Sequence, residues 1–179
     1  MKMILREFEA KDGRRVVLRE PRWEDLDDLI VFINSLVEEG ADILRETPVT
    51  REEEADWLGK RLASVEKGEM IGIVVEVDGK VVANSEVMKR GGLMDHLGGV
   101  GIGIEEGHRG IGIGKELVKS LVEESRKAGL KVLVLDVFDS NKVAKSFYAK
   151  MGFSGAGRIP KGIFKKGKYI DLLRMTLEL

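Results

Sequence analysis

The sequence predicts a single α/β (α+β) domain covering residues 1–179, in which amphipathic helices pack on a central sheet. Three observations predict it. Two strand-like runs, residues 71–77 and 80–87, are joined by Asp78-Gly79, a two-residue hairpin signal. Thr50-Arg51-Glu52-Glu53 is a capping-box pattern that opens a helix. The glycine-rich stretch Arg109-Gly110-Ile111-Gly112-Ile113-Gly114 lies between an apolar run and an amphipathic segment, so a strand there passes directly into a helix.

The remaining elements follow in order. Val16-Val17-Leu18-Arg19-Glu20 reads as the first strand, stopped by Pro21. From Trp23 the apolar residues recur at helical spacing, giving a first helix. The capped second helix ends by Gly68, and the hairpin strands come next. Gly91-Gly92 turns into the strand holding Val100 and Ile104. A helix over 115–127, a strand over 131–137 and a helix from Asn141 follow. The chain closes with a strand at 153–159, a basic loop around Lys165-Lys166-Gly167-Lys168, and a strand at 169–177. There is no repeat, low-complexity tract or linker.

The glycine-rich turn carries chemistry. A strand that runs through such a turn into a helix leaves N–H groups bare at the helix N-terminus, where the dipole favours an anion. Two familiar phosphate loops are tested by the residues themselves. A P-loop needs Gly-x-x-x-x-Gly-Lys-Ser/Thr, but Arg109 stands at the first glycine and Glu116 replaces the hydroxyl residue. A dinucleotide fingerprint needs a third glycine where Lys115 stands. Asp136, on the next strand, imitates the acidic ribose ligand and keeps that alternative open.

A second segment separates these readings. Asn141-Lys142-Val143-Ala144-Lys145-Ser146-Phe147-Tyr148-Ala149-Lys150-Met151-Gly152-Phe153 follows the strand at 131–137. Together the two segments resemble the GNAT superfamily of acyl-CoA-dependent N-acetyltransferases. There an Arg/Gln-x-x-Gly-x-Gly/Ala turn binds the coenzyme A pyrophosphate, and an Asn-x-x-Ala-x-x-x-Tyr-x-x-x-Gly-Phe segment lies beside the pantetheine and thiol. Every named position of both patterns is met here. The match is close over the second half of the chain and holds for the first half in element order.

The resemblance implies a mixed, mostly antiparallel sheet splayed between two strands, with helices on both faces. Pantetheine would enter the splay and pair with backbone groups near Ile102, Gly103 and Ile104. Arg109 would lie against the pyrophosphate, with N–H donors from Gly110, Gly112, Gly114 and Lys115. Asn141 is an N-cap by position and, by resemblance, also a partner of the pantetheine arm. Ala144 keeps that face low, and Phe147 beside it packs inward. Tyr148 is the implied general acid for the departing thiolate.

The implied reaction is direct attack of a neutral primary amine on the acetyl thioester through a tetrahedral intermediate. The acceptor classes are a protein N-terminus, an amino acid or a polyamine. At pH 7 about one α-amine in seven is neutral, against roughly one lysine-type amine in 2,500, so only the latter needs a strong base. Many relatives carry a base-forming Glu on the strand before the turn; here that place is Gly99. Glu86 on the neighbouring strand is the candidate base, with His96 and Glu105 behind it. The first two helices and the basic loop are expected to line the acceptor site.

Composition narrows the partners. Thirty basic against thirty-one acidic residues give a net charge of −1, which offers no field for nucleic acid. Zero cysteines and two histidines argue against a metal site, and the reaction needs none. No apolar run reaches the ~18–20 residues of a membrane span, and Met1-Lys2-Met3-Ile4-Leu5-Arg6 has no secretory pattern, so a cytoplasmic enzyme is expected. Acetyl-CoA and an amine are the expected partners. Dimers through late strands are common in the superfamily, so a homodimer is compatible with the resemblance. A non-catalytic acyl-CoA-binding sensor and a nucleotide-dependent oxidoreductase are the alternatives.

Overall fold

The computed structural model describes residues 3–179. One eight-stranded sheet runs through it in the order β1-β2-β3-β4-β5-β6-β8-β7. The strands are β1 (Ile4–Glu9), β2 (Arg15–Arg19), β3 (Met70–Val77), β4 (Lys80–Lys89), β5 (Leu97–Ile104), β6 (Val132–Phe138), β7 (Ser154–Lys165) and β8 (Lys168–Glu178). The helices are α1 (Leu26–Glu38), α2 (Arg51–Glu66), α3 (Ile113–Lys127) and α4 (Lys142–Lys150). Every strand pair is antiparallel except β5 with β6.

The predicted mixed sheet, its helices on both faces and its hairpin are present. On one face Leu26, Leu29, Phe32 and Leu36 of α1 and Leu58 of α2 pack over Val74 and Val81. On the other, Ile113, Leu117, Val118 and Leu121 of α3 cover Val16, Leu18, Ile73, Val75 and Val87. The α1 residues recur every three or four positions and the α3 residues fall at i, i+4, i+5 and i+8, each a single buried stripe. Arg19 of β2 binds both oxygens of Asp25 at 2.7 and 2.8 Å, which fixes α1 against the sheet at its first turn.

Two elements differ from expectation. The first described element is β1, an edge strand that carries Arg6, Glu7 and Glu9, so its polarity hid it. The basic loop is a tight turn: Lys166 and Gly167 have φ of 48° and 75°, as Asp78 and Gly79 have 50° and 78°. Positive φ at both central residues makes each a hairpin turn of the primed type. The last two strands therefore form one long hairpin. Its tip reaches the segment just past α1, where Lys165 Nζ donates to the carbonyls of Gly40, at 3.0 Å, and Ala41.

The site is prepared at the parallel pair. β5 and β6 are in register only at Leu97–Val132, Gly98–Leu133 and Gly99–Val134, and beyond that they part. β4 keeps pairing with β5 out to Ile104, and β8 with β6 out to Phe138. The sheet is thus whole on both sides of a wedge-shaped gap. Gly98 permits the close approach at its apex, since a Cβ there would lie 2.9 Å from Leu130 Cδ1 and closer still to Val87.

Candidate active site

The α3 N-terminus stands where β5 ends. Gly112 is its N-cap at φ 103°, a left-handed conformation that suits glycine. Glu116 is the first residue whose N–H reaches back into the turn, 3.3 Å from the Gly112 carbonyl. Among the described residues, the N–H groups from Gly110 through Lys115 have no protein acceptor. Gly110, Gly112 and Gly114 leave this cradle uncovered, and a Cβ at Gly110 or Gly112 would meet nothing within 4 Å. The cradle suits an anion of two phosphates.

Arg109 is exposed at the mouth of that turn, and its side chain has structural work. Its Nε donates to the Ile104 carbonyl at 2.7 Å, and its Nη2 pairs with Glu39 at the end of α1. The side chain thus ties the end of β5 to the α1–α2 loop.

Alternation along β5 decides which backbone groups face the gap. Arg90 N–H bonds to Leu97 O at 3.1 Å, and Glu105 N–H to Val82 O at 3.0 Å, so odd-numbered residues turn toward β4. Ile102 and Ile104 therefore present their peptide groups to the gap. Gly103 does not, which corrects the expectation for that residue. Its role is close packing, since a Cβ there would sit 3.1 Å from both Phe32 Cζ and Leu36 Cδ1.

The second wall comes from the end of β6 and from α4. Asn141 caps α4, accepting from Ala144 N–H at 2.9 Å. Ala144, Phe147 and Tyr148 pack against the core, and the Phe147 ring lies 3.3 Å from where a Gly114 Cβ would be. The two helices that open on the gap are thus in contact. Tyr148 is half-buried, its ring 5.2 Å from Phe147 and 5.8 Å from Phe153. Burial pushes its phenol up to about 12. Among the described residues nothing hydrogen-bonds its hydroxyl.

The candidate bases separate. Glu86 faces α2 over Gly101, where a Cβ in place of the glycine hydrogen would lie 3.2 Å from its Oε1, and it is ion-paired with the buried Arg61. His96 precedes β5, at the end away from the gap. Glu105 is at the right end but lies 3.1 Å from His108 Nδ1. The place of the missing strand Glu, Gly99, is covered by the Arg90 guanidinium.

A cavity of about 120 Å³ lies between α1, the α1–α2 loop, α2 and β4. Leu29, Phe32, Ile33, Val49 and Trp57 make its apolar walls, and Arg45, Glu53, Glu54 and Asn84 its polar ones. Sequence reasoning missed Glu54, Arg61 and Asn84. A signal existed, since Glu54 and Arg61 fall on the same helical stripe as Leu58 and are buried with it. The basic hairpin turn does not line this cavity.

Residues 36–153 match the family model described as Acetyltransferase (GNAT) family. The chain belongs to the GNAT acetyltransferase family. It is similar to the L-methionine sulfoximine/L-methionine sulfone acetyltransferase of Pseudomonas aeruginosa, 26% identical over 90% of this chain and 94% of that protein. Among solved structures it is similar to the ribosomal-protein-alanine N-acetyltransferase of Brucella melitensis (27% identity, TM-score 0.81, 90% and 99% coverage). The fold is also that of yncA from Salmonella typhimurium, solved with its cofactor acetyl-CoA (21%, TM-score 0.79, 91% and 93%). This acetyltransferase accordingly uses acetyl-CoA and moves the acetyl group to a primary amine. The sensor and oxidoreductase readings lose their footing. Asp136, the supposed ribose ligand, is held by Arg174 through two bonds of 2.8 Å.

Proposed function

We propose that this acetyltransferase acetylates the α-amine of a small amino acid. The observation that carries the reading is the cavity beside Asn84, small and mostly apolar, on a strand residue whose register partner is Gly103, between Ile102 and Ile104. It suits one short side chain better than a polyamine or a folded N-terminus. The Pseudomonas aeruginosa relative, named for two amino-acid substrates, supports the same class.

The residues divide the work as follows. Gly110 to Lys115 hold the pyrophosphate through their N–H groups, and Ile102 and Ile104 hold the pantetheine amides in the manner of an added strand. Asn141, with its side-chain oxygen committed to the cap, has its amide N–H₂ for the same arm. The neutral amine attacks the thioester carbonyl, and strand N–H groups stabilise the oxyanion. Tyr148 donates its proton as the C–S bond breaks.

The chain acts as one domain in the cytoplasm, with no nucleic-acid partner; no described helix is long and apolar enough to cross a membrane. The β7 edge, with Ile159, Phe164 and Tyr169 exposed on its hairpin, offers the face for a second copy. The deciding experiment is a turnover screen with acetyl-CoA over free amino acids, methionine sulfone included, spermidine, and peptides with a free N-terminus. Amino acids are expected to give the highest kcat/KM. Turnover confined to spermidine or to peptides would overturn the reading.

A further inference from the structure

The cavity contains one group that the roles above do not use. Glu54 is buried in the first turn of α2, and it lines the cavity beside Asn84. Among the described residues, no donor bonds its carboxylate, and the Asn84 amide is equally unpartnered. An ionised carboxylate in such a place is costly unless a cation or donors reach it. Two cations act on it through space, and neither bonds it. Arg61 pairs with Glu86 and stacks on Trp57, 4.2 Å from the ring centre, while its buried Nη2 has no partner among the described residues. Arg45 pairs with Glu53 at 2.9 Å and bonds the Thr47 carbonyl at 2.8 Å.

The position is right for chemistry. Asn84 is the register partner of Gly103, which lies between the two residues that face the gap. A group held between Glu54 and Asn84 is therefore one strand position from the edge that would carry the thioester. We infer that the Glu54–Asn84 cavity binds the acceptor's ammonium and that Glu54 takes its proton, with the short side chain lodged among Phe32, Ile33, Val49 and Trp57. This rests on the acetyltransferase reading and gives the amine a base other than Glu86.

The protons balance. Glu54 removes one proton from R–NH₃⁺ and passes it to solvent. The C–N bond forms as the amine attacks, and the second N–H proton leaves as the intermediate collapses. The C–S bond breaks, Tyr148 protonates the thiolate, and the second amine proton restores Tyr148. Burial pushes the Glu54 carboxyl above the usual carboxylate range, with Arg45 and Arg61 opposing, which brings it nearer to an α-amine. The cavity, about 120 Å³, approaches the ~150 Å³ known to hold a benzene ring, so a branched four-carbon tail is within its size.

The test has two arms on the full-length protein with CoA or acetyl-CoA bound. In calorimetry at pH 7, 3-methylbutan-1-amine, which has the ammonium and the tail but no carboxylate, is expected to bind wild type and to lose at least tenfold affinity for Glu54→Gln. The corresponding alcohol is expected not to bind. In kinetics, Glu54→Gln should keep its acetyl-CoA affinity and lower kcat/KM for the best amino acid on the order of a hundredfold at pH 7. That loss should shrink to less than tenfold near pH 9, where an α-amine is already neutral. A loss under twofold, a loss equal at both pH values, or amine binding that ignores Glu54→Gln would overturn the assignment. If no amino acid is turned over but the amine still binds through Glu54, the amino-acid reading falls and the site stands.

Discussion

Tyr148 is a half-buried phenol whose hydroxyl has no partner among the described residues, and whose burial holds it protonated far above neutrality. In the role proposed for it, this is a proton donor kept loaded. Tyr148→Phe should leave acetyl-CoA affinity unchanged while turnover falls about a hundredfold; single-turnover kinetics at wild-type rate would reduce Tyr148 to packing. The raised pKa also has a stability consequence. The phenol ionises near 10 when unfolded and near 12 when folded, so its contribution is full below pH 10 and is lost between 10 and 12. Thermal melts across that window should show wild type losing stability that Tyr148→Phe keeps. At the phosphate cradle, Gly112→Val meets no neighbour but cannot hold φ 103° comfortably, and its side chain would fill the space left for the ligand. Calorimetry should show severely weakened CoA binding in a folded variant. Both positions were legible because the roles proposed for them belong to a local chain pattern. Glu54 and Asn84 were not, since thirty residues and two element types separate them and only the sheet brings them together.

Among elements, β5 carries the tightest constraint. A methyl group on Gly98 would collide with Val87, Leu130 and Leu133 at the apex of the wedge, so Gly98→Ala should cost ~1–3 kcal/mol. A urea midpoint equal to wild type would deny the close packing. The Arg19–Asp25 pair ties β2 to α1. Burial opposes the Asp25 charge, yet Arg19, Arg22 and the Arg22 N–H together hold its carboxyl below the usual range. Its stabilisation is present above the unfolded value near 4 and is lost as pH falls through the lower folded one. Asp25→Asn should remove ~1–3 kcal/mol at pH 7, because the buried Arg19 guanidinium keeps Glu76, at 3.0 Å, and loses its two-bond carboxylate; guanidinium titrations at pH 7 and pH 3 should show the gap narrowing in acid. Most elements could be read from their stripes and caps. The β7–β8 hairpin was cut short because Lys166-Gly167 lacks the Asn or Asp that usually announces such a turn, and β1 because its alternation is charged.

At the scale of the molecule, the wedge between β5 and β6 makes this an eight-stranded sheet with a place for a ninth member. The splay itself came from the resemblance, since no residue pattern says how far two parallel strands stay together. Its consequence concerns motion. Ile102 and Ile104 have partners on neither strand for the peptide groups that face the wedge, so their amides should exchange with deuterium rapidly in the free protein. Acetyl-CoA would occupy the vacant track and slow both, along with the amides from Gly110 to Lys115, while Gly103 and Gly101, already bonded to β4, should hardly respond. Saturating acetyl-CoA at about a hundred times its Kd would add ~2.7 kcal/mol to folding. A ligand bound in that way would be the last strand to fold, and its departure after turnover would loosen the two halves that it had joined.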